Sequence, residues 1–323
     1  MFLIRWVLLV AALAAPFGVI AQSYPNRPVR MIVGFPPGGG TDILARIVAQ
    51  KLSDAWKQQV IVENRPGASA TIAAAAVARS APDGYVLSMG QLTPNAIAPA
   101  LQQAKLQYDA LKDFAPIALV GTSPNVLVVH PGLPVRTLAE LTAHAKTQPK
   151  AMTYATSGAG SLQHIAAELY RSMAGVELVH VPFKGSGQAV VDLMAGQVDM
   201  NFDSIPATIQ HIRSGKLRAL AVTASKRAGG GLENVPTIAE SGFTGYDLTT
   251  WWGLFAPAGT PTDVLERVHA DTIAALRAPE VRERFASLSV EPGDGSRAAF
   301  ADYVRAEIAK YDRIVKQLAI KAE

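Results

Sequence analysis

The chain has 323 residues, 49% hydrophobic and 17% charged, with a formal net charge of +4. That length fills one large or two medium domains and buries a core without metal or disulfide support. Its Lys and Arg are dispersed, which argues against a nucleic-acid partner, and the absence of Cys excludes disulfides, thiolate metal sites and cysteine nucleophiles.

The first segment, "MFLIRWVLLVAALAAPFGVIAQS", carries one basic residue, Arg5, an apolar run over 6–15, and the small-residue ending Val19-Ile20-Ala21. The run is too short for a stable bilayer span, so residues 1–21 are predicted to be a cleaved export signal rather than a retained anchor. Without a cysteine after it, the mature chain is expected to be free of lipid. Loss of Arg5 leaves a charge of about +3 by counting.

From residue 29 short apolar runs alternate with longer amphipathic ones. "VRMIVG" reads as a buried strand, 42–56 as a helix, "VIVEN" as a strand, 70–79 as a helix and "YVLSM" as a strand. The rhythm restarts at "NVLVV", followed by a helix over 138–146, the strand "MTYA" and a helix over 162–174. "LVHVPF", a helix over 188–195, "VDMNF", a helix over 205–213 and "LRALAVTA" complete this second series. Such alternation predicts an α/β fold with parallel sheets flanked by helices, repeated in two domains. A Gly/Ser/Pro-rich loop over 224–245 then leads to the strand "WWGLFAP" and helices over 263–276, 281–288 and 296–317. A strand followed by helices needs a sheet to lie on, and the first domain supplies it. The chain would then cross between domains twice.

Three loops sit where a predicted strand meets a predicted helix. "VGFPPGGGTD" matches the phosphate-loop template at Gly34, Gly39 and Thr41 but has Gly40 where the lysine belongs. It also fails the dinucleotide template, because Ile43 replaces the last glycine. What remains is a tight turn whose helix N-terminus can bind an anion, or a capped turn with no ligand. "YATSGAGSLQH" is a second cluster of small hydroxyls and backbone N–H groups, and "VPFKGSG" places Lys184 and Ser186 before a third helix. Three such loops at the carboxyl ends of strands suggest one cleft that takes an anion from both sides.

Nearly end to end, the mature chain resembles the tripartite tricarboxylate transporter receptors, the Bug or TctC-like periplasmic solute-binding proteins. The match is carried by "YPNRPVRMIVGFPPGGGTDILAR", "VENRPGASATIA", "DGYVLSMG", "NVLVVHPGLPVRTLAEL", "YATSGAGSLQHIAAELY", "HVPFKGSGQAVVDLMAGQVDMNFDSIP", "GKLRALAVTASKR", "VPTIAESG" and "WWGLFAPAGTP". The resemblance implies a two-lobed periplasmic-binding-protein fold of type II, each lobe a sheet flanked by helices, with two crossing segments. Lobe I is expected over 24–124 plus 246–323 and lobe II over 125–245. It implies a receptor that closes on a small carboxylate and delivers it to the membrane components of a tripartite transporter. A monomer located in the periplasm, with no cofactor, is expected.

In this family the carboxylate is held by backbone amides, hydroxyls and water from two glycine loops, not mainly by an arginine clamp. Carried onto this chain, the first loop offers Phe35, Gly39, Gly40, Thr41 and Asp42, and the segment after the third strand offers Gln91 and Thr93. The second lobe offers Ser157, Gly160, Ser161 and Asp203. "GQLTPNAIAPAL" departs from the Ser/Gly/Thr-rich stretch common there, and "SKRAGGGLENVPT" is richer in glycine than usual.

Asp203 reads either as a polar contact to a donor on the ligand or as a helix cap. Trp251 and Trp252 either line the cleft or pack at the hinge. A serine esterase using Ser157 or Ser161 with His164 is a rival reading, but the sequence has no G-x-S-x-G elbow and no identified acid partner. A ligand sensor for a membrane signalling partner is another, since it needs the same cleft. No metal-binding motif is present.

Overall fold

The computed structural model describes residues 24–102 and 104–320, so the export signal expected over 1–21 lies outside the described residues. The first half of the fold is built on β1 (Val29–Val33), β2 (Val60–Asn64) and β3 (Val86–Gln91), which run parallel in the order β2-β1-β3. Helices α1 (Gly40–Trp56) and α2 (Thr71–Ala78) connect them. The second half has β5 (Met152–Thr156) between the parallel β6 (Leu178–Pro182) and β7 (Met200–Ser204), connected by α5 (Leu162–Ala174) and α6 (Ser186–Met194). Both halves are the predicted α/β arrangement. The apolar runs are buried between layers, where Met31, Val33, Leu44 and Leu52 are fully covered on one side and Phe202, Ile165 and Tyr170 on the other.

Two long strands join the halves. β4 (Phe114–Val129) is 16 residues long and pairs antiparallel with β9 (Thr249–Pro257) from Phe114 to Pro124. At Asn125 it changes partners and pairs with β7 and with β8 (Arg218–Val222). The returning chain crosses beside it: Leu248 donates its N–H to the Thr223 carbonyl, and Thr223 Oγ1 donates to the Leu248 carbonyl. The two crossings therefore lie side by side at 124–125 and 248–249.

The sequence predicted only residues 125–129 of β4. Pro116 and Pro124 hid the rest, since proline cannot donate to a ladder; the register shift beside Pro116 accommodates one of them. A buried π-helical turn (Thr93–Ile97) leading into α3 (Ala98–Gln102) was also unforeseen. The remaining helices are α4 (Leu138–Thr147), α7 (Ile205–Arg213), α8 (Thr262–Arg277), α9 (Pro279–Ser287) and α10 (Arg297–Gln317). The last three pack on the first half. Among the described residues no helix is long and apolar enough to cross a membrane.

Helix α4 starts with a reciprocal cap: Thr137 Oγ1 accepts the Glu140 N–H at 3.1 Å and Glu140 accepts the Arg136 N–H. Thr137→Ala is expected to lower unfolding stability by about 1 kcal/mol. Urea denaturation that showed no loss would mean water replaces the cap.

Candidate functional site

The loops at the strand ends of both halves meet over a cavity of ≈ 40 Å³, next to the two crossings. That is room for about three waters. Phe35, Gly39, Gly40 and Thr41 form one wall, at the start of α1. Gln91, Thr93, Thr250 and Trp252 form a second, where β3 pairs with β9. Ser157, Leu162, Gln163 and Ser186 come from the second half, with Asp203, Ser204 and Asn125 beside the crossing.

The first wall is a field of donors. Gly39 is the N-cap of α1 and supplies no side chain, and among the described residues none accepts the N–H of Gly39, Gly40 or Thr41. These groups carry the partial positive charge of a helix start. Thr41 Oγ1 accepts the Trp252 Nε1–H at 3.0 Å, which leaves its own proton to donate. Trp252 thus both lines the cavity and is buried in the core. Gly40 is required by close approach: a Cβ there would lie 2.7 Å from Ser204 Oγ and 3.3 Å from the Trp252 ring.

Opposite lies a chain of hydrogen bonds with one direction. The Ser157 N–H donates to Gln163 Oε1, Gln163 Nε2 to Ser186 Oγ at 3.0 Å, and Ser186 Oγ to Asp203 Oδ1 at 2.7 Å. Asp203 is fully buried and also accepts the Ser204 N–H at 2.7 Å and Asn201 Nδ2 at 3.0 Å. Burial pushes its carboxyl above the ordinary range, against these donations, which favour the anion. Among the described residues it is the one ionisable group lining the cavity, and none of their Lys, Arg or His side chains lines it.

Of the residues named from the sequence, the structure brings Phe35, Gly39, Gly40, Thr41, Gln91, Thr93, Ser157 and Asp203 to the cavity. Gln91 is partly spent on its neighbours, donating to Thr250 Oγ1 and accepting the Thr93 N–H. The structure places Asp42, Gly160 and Ser161 outside. The Asp42 carboxylate is engaged by Arg46, the Gly38 N–H and Asn64. Burial works against its charge, yet these partners hold it below the ordinary carboxylate range. The Gly160 N–H donates to His164 Nδ1 at 3.1 Å, and Ser161 caps α5 by accepting the His164 N–H at 3.3 Å. Ser161 and His164 therefore meet through the backbone, and the imidazole is a brace for the loop rather than a base poised on the hydroxyl.

Sequence reasoning missed Asn125, Leu162, Gln163, Ser204 and Thr250. Apart from Leu162, which is apolar, their signal was present as polar residues beside the ends of predicted strands and in the first turn of a predicted helix. The partners that give them a role are remote in sequence.

The two sets of loops also touch outside the cavity. Ser69 Oγ donates to the Ala159 carbonyl at 2.8 Å, from a turn in which Ala68, Ser69 and Ala70 all have positive φ. Pro36 packs on Gly185, where a Cβ would lie 2.4 Å from Pro36 Cδ.

Residues 44–320 match the profile of the tripartite tricarboxylate transporter family receptors. The chain is 37% identical to protein BugT of Bordetella pertussis over 312 residues, covering 96% of this chain and 94% of that one. Among solved structures, R. palustris Rpa4515 with adipate superposes with a TM-score of 0.89 at 36% identity, covering 92% of this chain and 99% of that one. MatC from Rhodopseudomonas palustris with bound malate superposes with a TM-score of 0.85 at 33% identity, covering 90% and 100%.

Proposed function

Because this chain belongs to the tripartite tricarboxylate transporter receptor family, we propose that it is a non-catalytic periplasmic receptor that captures a small carboxylate for such a transporter. The observation that carries this reading is the row of unpaired N–H groups at Gly39, Gly40 and Thr41, facing the loops of the second half across a polar cavity. Helix starts of this kind bind anions through backbone donors without a cationic side chain. The adipate and malate of the two neighbours are carboxylates of the same class. Against the esterase reading, Ser161 accepts the His164 N–H and the His164 ring accepts the Gly160 N–H, so this pair holds the loop.

Lobe I (24–124 with 246–323) and lobe II (125–245) turn about the paired crossings. A cavity of ≈ 40 Å³ is far below the few hundred Å³ usual for small-molecule sites, so an acid enters when the lobes separate and is held when they close. Its contacts to both lobes favour the closed state, whose surface the membrane components recognise. Phe35, Gly39, Gly40, Thr41, Gln91, Thr93, Ser157 and Asp203 are the binding residues, joined by Asn125, Gln163, Ser186 and Trp252. The receptor acts as a monomer.

A thermal-shift screen of mono-, di- and tricarboxylates tests the reading. A cognate acid at about 100 times its Kd adds about 2.7 kcal/mol of stability. Stabilisation by sugars or nucleotides and by no acid would overturn it.

A further inference from the structure

The cavity's two sides differ in their free hydrogen-bonding groups, and this constrains the chemistry of what fills it. On the α1 side every available group is a donor: three backbone N–H groups and the Thr41 hydroxyl. On the crossing side the Ser204 hydroxyl can donate or accept, and two side-chain acceptors stand beside it. Asn125 is 2% exposed and uses its Nδ2 on the Phe202 carbonyl at 2.8 Å, yet its Oδ1 is buried with no partner among the described residues. Asp203, beside it on the cavity wall, has Oδ1 filled by Ser186 and Ser204, while Oδ2 accepts from Asn201, with the Gln163 amide also close to the carboxylate. A carboxylate has about four acceptor positions, so Oδ2 keeps one open. The relay from Ser157 through Gln163 and Ser186 ends on Asp203 Oδ1 and fixes the orientation of the Gln163 amide and the Ser186 hydroxyl.

A simple carboxylate would satisfy the α1 side and leave the Asn125 carbonyl and the Asp203 carboxylate buried against it. An unpaired buried acceptor costs about 1–3 kcal/mol, and a buried charge costs more. A ligand that also carries a donor removes this penalty.

Resting on the carboxylate-receptor reading above, we infer that the cognate ligand is an acid bearing a hydroxyl or an ammonium near its carboxylate, with Asn125 and Asp203 reading that donor. The two residues are specificity determinants: they discriminate among acids, while the start of α1 holds the carboxylate common to all. Sites built to receive a polar group reject the analogue lacking it far more strongly than apolar pockets reject a missing methylene.

Matched acids test this on the mature protein by calorimetry: malate and aspartate against succinate, and lactate and alanine against propionate. At least one donor-bearing acid is expected to bind about 10-fold or more tightly than its parent. Preference for aspartate or alanine identifies an ammonium, and preference for malate or lactate a hydroxyl; either supports the inference. In Asp203→Asn the gap between the preferred acid and its parent is expected to shrink to about 3-fold or less. Asn125→Ser, which removes the unpaired carbonyl by a smaller change near the crossing, gives the same readout if the first variant folds poorly. Parent acids binding as tightly as their donor-bearing counterparts would overturn the inference and leave the carboxylate reading standing. That result would also follow if Asp203 were protonated and donated to the ligand's own carboxylate. Failure of every acid to bind would overturn the carboxylate reading itself.

Discussion

Gly185→Ala is expected to weaken acid binding by about 100-fold while Gly187→Ala changes it by less than about 3-fold. At position 185 a Cβ would lie 2.4 Å from Pro36 Cδ and 2.9 Å from Cγ, atoms of a rigid ring that cannot rotate away. Two residues on, a Cβ at 187 would meet only the Pro37 carbonyl oxygen, at 3.4 Å. The clash exists only when the first and second halves are in contact, so it acts on the closed state. Overpacking costs about 1–3 kcal/mol, and a proline partner places this site at the upper end. In the proposed mechanism the ligand must supply that energy to hold the lobes together, and the loss appears as affinity. Gly185 has φ +157° and ψ 167°, a conformation that L side chains rarely adopt, so Gly185→Ala also carries backbone strain in the open state, which the ligand-free measurement reads. Calorimetry on the two variants, with thermal unfolding in the absence of ligand, separates the effects. Equal affinity in both would show that binding does not require this contact. A loss of ligand-free stability in Gly185→Ala that accounts for the whole effect would place the cost in the backbone at 185 and not in the contact with Pro36.

Acidification supplies the second large effect. The His164 ring is buried, stacked on His180 at 4.2 Å between centroids, and accepts the Gly160 N–H at Nδ1. Burial, aided by the neighbouring His180 and opposed by Glu168, pushes its pKa down from 6.5 to about 4. As pH falls below 6.5 the unfolded chain takes up a proton that the folded chain refuses, so the unfolded state is favoured. The stability due to a neutral His164 is thus complete above about pH 6.5 and is lost as pH falls toward 4. From about pH 7.5 to about pH 4.5 the loss from this one residue is about 2.5 kcal/mol. The groups around the ring are His180, Tyr154, Glu168 and Arg171. His164→Asn keeps a neutral acceptor for the Gly160 N–H and cannot be protonated. Urea titrations at the two pH values should show a shallower acid loss in His164→Asn than in the parent, by about the same 2.5 kcal/mol. Parallel losses would mean that His164 titrates normally. Because this ring fixes the loop that carries Ser157, acid should also weaken ligand binding before the protein unfolds.

The legibility of the site followed the range of the interactions. Phe35, Gly39, Gly40 and Thr41 were readable because a glycine turn before a helix is a local arrangement, written in adjacent residues. Asp42 belongs to the same stretch but turned away, since Arg46 and Asn64 compete for its carboxylate. Gly160 and Ser161 were readable as a loop, yet a histidine one turn further along consumed their polar groups. Asn125 stood in plain view at the start of "NVLVV", and a polar residue at a strand end did not by itself mark it as part of the site. Its importance comes from its place where β4 passes from one set of partners to the other.

From the sequence alone came the α/β class, the two runs of alternating strand and helix, the return of the C-terminal helices to the first half, and the family. Each rests on periodicity or on contiguous motifs, which survive in a linear string. Only the tertiary structure decided which polar atoms are spent and which remain for a ligand. Trp252 reaches Thr41 across 211 residues, Gln163 reaches Ser186 across 23, and Ser186 reaches Asp203 across 17. A hydrogen bond depends on where two atoms finish in space, and chain order does not encode that distance.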